Sequence, residues 1–111
     1  MTVTVKPIVK AKELETLLTD QYQALDLTTR LDAAVATNTA GAVRSLSVHL
    51  VRSGGVANAS NLLIQTRGLA PGESYLCPEL IGQTLGPGDK MTTLASGAGV
   101  TFMASGVEIT S

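Results

Sequence analysis

Aromatic side chains are nearly missing: 111 residues hold two tyrosines, one phenylalanine and no tryptophan. The core must therefore be aliphatic, and there is little material for an aromatic sugar platform or a base-stacking surface. Cysteine and histidine occur once each, as Cys77 and His49. One cysteine forms no internal disulfide, so the fold does not depend on an oxidising compartment. Two lone ligands 28 positions apart are a poor start for zinc, and small structural roles suit both residues better. No apolar run approaches the ~18 residues of a membrane span, and the polar start Met1-Thr2-Val3-Thr4 does not read as a signal peptide. Net charge is −1, which gives no global attraction to nucleic acid or to an anionic membrane. No nucleophile–base pair or ligand cluster is legible, so neither an enzyme nor a cofactor is expected.

What is present is 44% hydrophobic residues and eleven glycines, in a chain long enough for one domain. From residue 29 onward short alternating segments are separated by turn signals. Leu31, Ala33 and Val35 share one face of the first, and Asn38-Thr39-Ala40-Gly41 turns the chain. Leu46, Val48 and Leu50 point one way in the next, Ser45, Ser47 and His49 the other. Asn61 to Arg67 alternates again, Ala70-Pro71-Gly72-Glu73 turns, and Ser74 to Cys77 stops at Pro78. Leu85-Gly86-Pro87-Gly88-Asp89 is the strongest turn, ahead of strands at Lys90–Ala95 and Val100–Ala104. Gly106 in mid-strand marks a bulge or the close approach of another backbone. Strands at this spacing predict an all-β fold: an antiparallel β-sandwich, jelly-roll-like, over residues 29–111.

Residues 1–28 read as an N-terminal arm and lead-in. Thr2-Val3-Thr4-Val5-Lys6-Pro7-Ile8-Val9-Lys10 alternates and is β-branched, while Pro7 removes a backbone donor. This is an edge strand or an extended arm; a first strand folded onto its own domain is the alternative. Leu14, Leu17 and Leu18 have helical spacing, which fits two turns of helix or more of the arm. Charge falls in blocks, +3 over 1–12, −4 over 13–32, +3 over 33–72 and −3 over 73–111. Either the blocks survive as patches suited to protein docking, or folding interleaves them.

Two glycine-rich stretches, Ser53-Gly54-Gly55 and Ser96-Gly97-Ala98-Gly99, lack the ending of a phosphate-binding loop and read as loop tips. Asn58-Ala59-Ser60 matches a glycosylation acceptor, a three-residue pattern frequent by chance.

Longer runs carry a resemblance. They are Gln21-Tyr22, Thr29 to Asn38, Leu46 to Gly55, Leu69 to Gly82, Leu85 to Asp89 and Ala104 to Thr110, spread over about 90 of the 111 residues. Together they resemble the small capsid decoration, cement or staple proteins of tailed bacteriophages, those of the epsilon-fifteen type of short-tailed phage in particular. The resemblance implies a jelly-roll-like subunit on the outer surface of an icosahedral capsid, made in the host cytoplasm. Its implied partner is the phage major capsid protein, whose neighbouring copies it would cement. A homo-oligomer, a dimer first, is implied as well, with no direct nucleic acid contact and no membrane. Similar modules occur in phage tails and fibres, so a module binding host-surface glycan is the alternative. The family supplies no catalytic residues. The arm, Thr2, Val3, Thr4, Val5, Lys6, Pro7, Ile8, Val9 and Lys10, is the candidate contact with capsid or with another subunit, by adding a strand to a neighbour's sheet.

Overall fold

A computed structural model describes residues 1–110. Nine strands follow in order: β1 (Thr2–Glu13), β2 (Thr19–Gln23), β3 (Thr28–Asn38), β4 (Arg44–Val51), β5 (Leu62–Leu69), β6 (Ser74–Tyr75), β7 (Thr84–Leu85), β8 (Lys90–Ala95) and β9 (Val100–Thr110). Two 3₁₀ turns, Ala59–Asn61 and Pro78–Leu80, complete the described elements.

All pairings are antiparallel, in two sheets. One has the order β1-β9-β3-β6, with β7 also on β3; the other is β2-β8-β4-β5. The chain thus crosses between sheets at almost every connection, and its last strand returns to lie between the first and third. This is the strand order of a jelly roll, two four-stranded sheets closed by Greek-key connections. The β6–β7 pair splits the fourth position of the first sheet around the turn at Pro78–Leu80.

The core follows the alternation in β4 and β9, whereas in β3 the expected face of Leu31, Ala33 and Val35 is broken at Asp32, and Leu31, Ala34 and Ala36 are the buried residues. Val100, Phe102 and Ala104 of β9 face Leu46 and Val48 of β4 across the sandwich, with Leu31, Leu69, Leu80, Leu85 and Met91 completing it, all fully buried. Phe102 is the one aromatic fully inside; Tyr22 and Tyr75, partly buried, pack against the core cluster. Leu46, Val48 and Leu50 are buried as the alternation requires. His49, on the opposite face, is buried too, because the loop around Ala59–Asn61 folds over it. Its Nδ1 donates to Asn61 Oδ1 at 2.8 Å and to the Asn58 carbonyl at 3.1 Å.

β9 runs unbroken through Ser105-Gly106, and the irregularity falls on its neighbours. Ile8 is an extra residue in β1, between the pairs Pro7↔Ser105 and Val9↔Ala104. Asp32 is an extra residue in β3, between Leu31↔Gly106 and Ala33↔Ser105. At this level a Cβ on Gly106 would overlap the Arg30 carbonyl. The glycine is there because another backbone is, as its mid-strand position implied.

The leucines after β1 form no helix. Leu14 is buried and its N–H donates to the Val100 carbonyl at 2.7 Å, continuing the β1–β9 ladder, while Leu17 and Leu18 are exposed. Three leucines over two turns cannot offset helix nucleation when a ladder partner is at hand.

At one end of the sandwich Asp89 ties three loops together. Its carboxylate accepts from Ser53 N at 2.8 Å, Gly86 N at 2.9 Å and Arg52 Nη1 at 2.7 Å. Its backbone carbonyl accepts from Ala24 N at 2.9 Å. Burial raises its carboxyl pKa, but the Arg52 guanidinium and the two amides outweigh burial and hold it below the usual range.

Candidate interaction surface

β1 is the edge of its sheet. One side pairs with β9 from Thr2↔Thr110 to Glu13↔Thr101; the other side has no strand partner among the described residues. The segment expected as an arm is thus extended and laid along its own sheet. Its two halves differ. Residues 2–7 are all exposed, whereas Ile8 and Val9 are buried at 7% and 4% relative exposure. The bulge at Ile8 is where the strand enters the core, for two residues, before it is exposed again from Lys10 to Glu13.

The exposed half is held on its inner side by a polar cluster. Glu108, opposite Thr4 on β9, forms an ion pair with Lys6 Nζ at 3.2 Å. Tyr22, from the facing sheet, donates its hydroxyl proton to Glu108, and its oxygen lies 2.6 Å from Thr29 Oγ1. The Tyr22 hydrogen bond, and after it Lys6, outweigh burial and hold the Glu108 carboxyl below the usual range. Burial first, then Glu108, pushes the Tyr22 hydroxyl up to about 12. Tyr22 and Glu108 are 86 positions apart, which is why no local pattern announced the cluster.

The outer face of the same sheet is apolar and almost uncharged. Val3 and Val5 lie beside Ile109 and Val107, Pro7 beside Ser105 and Ala33, and Met103 beside Val35. Val3 and Val5 are 53% and 80% exposed. Two of the charges on this face, Arg30 and Asp32, neutralise each other at 2.9 Å; Glu13, opposite Thr101, is exposed at its far end. The β1 lysines occupy the rim: Lys6 on Glu108, Lys12 on Glu15 at 3.0 Å, and Lys10, exposed, with no ion pair among the described residues.

Elsewhere folding interleaves the charge blocks, pairing Lys90 with Asp20 and Arg52 with Asp89. Cys77 is fully buried, and burial pushes its thiol up to about 12. A cavity of about 390 Å³ lies between the β4–β5 connection and Gln83. Arg52, Asn58, Ser60 and Asn61 give it a polar rim, and Leu50, Val56 and Leu63 an apolar wall. Among the described residues, no three His, Cys, Asp or Glu side chains come together as a metal-holding group.

No family model matches the chain, and no curated protein matches it. Among solved structures it is similar to one of infectious bursal disease virus, Gx strain, with a TM-score of 0.48 and 15% identity. The likeness covers 98% of this chain and 32% of the other, so the chain spans about a third of that protein's length. The jelly roll is assigned here from the sheet order itself.

Proposed function

We propose that this protein is a non-enzymatic structural component of a bacteriophage virion, bound to the outer surface of the capsid, where it cements neighbouring major capsid proteins. The observation that carries the reading is β1: twelve residues of edge strand with an unpaired outer side. Beside that side lie a charge-poor face and the exposed Lys10. An edge of this kind adds to a partner's sheet through backbone hydrogen bonds, with lysines selecting an acidic neighbour. The jelly roll supports the reading by fold-level analogy, since the architecture recurs in capsid proteins. The sequence resemblance to phage decoration proteins points the same way. A cement has many weak contacts multiplied by symmetry, which suits a broad edge better than a deep pocket. In this reading the chain is made in the host cytoplasm and joins the head at assembly.

A second reading has its own observation. The 390 Å³ cavity with its amide, hydroxyl and guanidinium rim is within the usual size range of ligand sites, and jelly rolls also occur as lectins. A tail or fibre module binding host glycan would use it. Electron cryo-microscopy of purified virions separates the two. Cementing predicts this jelly roll repeated over the head, with β1 towards the capsid protein. Density confined to the tail would overturn it in favour of the glycan module.

A further inference from the structure

We infer that the first six residues of β1, Thr2 to Pro7, are an exchangeable strand, which leaves its own β9 and takes the same place on β9 of a second copy of this chain. The division lies at the bulge. Before it, residues 2–7 are exposed; after it, Ile8 and Val9 sit in the core and anchor the rest of the strand. Detaching the first half takes none of its own side chains out of the core, but it uncovers Val107, which is 5% exposed beside Val5. It releases ladder hydrogen bonds, the Val3–Ile109 and Val5–Val107 neighbours, and the Lys6–Glu108 ion pair.

Every one of these contacts re-forms when an identical strand arrives from a second copy. Val3 again meets Ile109, Val5 meets Val107, and Lys6 meets a Glu108 still held by Tyr22. Reciprocal exchange is thus closed by a two-fold axis, and only the path of the chain at the bulge differs. The released segment spans about 20 Å when extended, enough to cross to a neighbour standing alongside. The vacated receptor stays formed, because β9 from Thr101 to Ile109 remains paired with β3.

Simple edge-to-edge pairing of two β1 strands is the competing arrangement, and the sequence works against it. Pro7 lacks a donor, and two antiparallel β1 strands would bring six lysines to one seam. Exchange returns Lys6 to a Glu108, leaves Lys12 on Glu15 and does not move Lys10. The proposal concerns the isolated protein and holds or fails separately from attachment to a virion.

The test places a cysteine pair across the exchanging ladder, Val5→Cys with Val107→Cys in one chain, with Cys77→Ala to remove the native thiol. The protein is concentrated, oxidised and run without reductant. Exchange predicts a covalent dimer as the main species, with the peptide containing position 5 of one copy linked to that containing position 107 of another. Mixing chains labelled with ¹⁵N and unlabelled chains before oxidation makes half of those links mixed. A monomer carrying the 5–107 link within one chain, at every concentration, overturns the inference. The neighbouring pair Val3→Cys with Ile109→Cys repeats the measurement should the first variant not fold.

Discussion

Replacing Asp89 by alanine removes the acceptor for two backbone amides and one guanidinium in a single step. Ser53 N and Gly86 N, at 2.8 and 2.9 Å, lose their partner beside a carboxylate only 10% exposed. A hydrogen bond to a charged group is worth about 1.5–3 kcal/mol, so the two part-buried ones together cost about 3–6 kcal/mol. Arg52, 67% exposed, is re-solvated and adds little. With an unfolding entropy of about 2 cal/mol/K per residue, that loss lowers Tm by roughly 13–27 °C. Thermal melts followed by circular dichroism at pH 7 measure it directly. The Asp89 carboxyl pKa is lower folded than unfolded, so its contribution is complete above the unfolded value of about 4 and is lost as pH falls through the folded one. Asp89→Asn, which preserves shape and one acceptor, should fall between wild type and alanine and lose this part of the acid dependence. A Tm for Asp89→Ala within about 3 °C of wild type would refute the loop-tying argument.

Gly106→Ala drives a Cβ into the Arg30 carbonyl, which only backbone movement relieves; a loss of about 1–3 kcal/mol in urea unfolding is expected, and an unchanged midpoint would contradict the close approach. Val48→Asp strands a charge in the fully buried aliphatic core, and the variant should be unfolded or insoluble; a soluble product with native melting would place Val48 outside it. Cys77→Ala should cost roughly 1–3 kcal/mol by packing alone and leave virion function intact; loss of infectivity with normal folding and assembly would assign the thiol a chemical role. Amide hydrogen exchange should show residues 2–6 far less protected than residues 100–104 of β9; equal protection would mean that β1 opens only with the whole domain.

Much of the fold was legible because its signals are local. The alternation of Leu46, Val48 and Leu50 marked the buried face of β4, and Gly106 marked a close backbone approach without naming Arg30 as its cause. The turn at Gly86-Pro87-Gly88-Asp89 was plain by residue type. The service of Asp89 to that turn was not, since Ser53 lies 36 positions away. Strand order was equally hidden: β1 beside β9 is a contact between the two ends of the chain, and no period or turn encodes it. The interaction surface divided the same way. β-branched alternation and Pro7 identified an extended edge segment. That Ile8 and Val9 belong to the core while residues 2–7 do not depends on a bulge set by β9. Removal of residues 2–10 would therefore cut into the core, and removal of 2–7 is the informative truncation.

The proposed attachment of this jelly roll to a capsid runs through the outer edge of β1. Heads assembled without the protein can be mixed with wild type, with the chain lacking residues 2–7, and with Lys10→Glu, then sedimented. Lys10 lies beyond the bulge, in the anchored half of β1, and reports on the edge without disturbing the ladder. The account predicts saturable co-sedimentation of wild type, at least tenfold weaker binding of Lys10→Glu at low salt, about 1.4 kcal/mol, and weaker binding of the truncated chain. Undiminished co-sedimentation of both folded variants would contradict it.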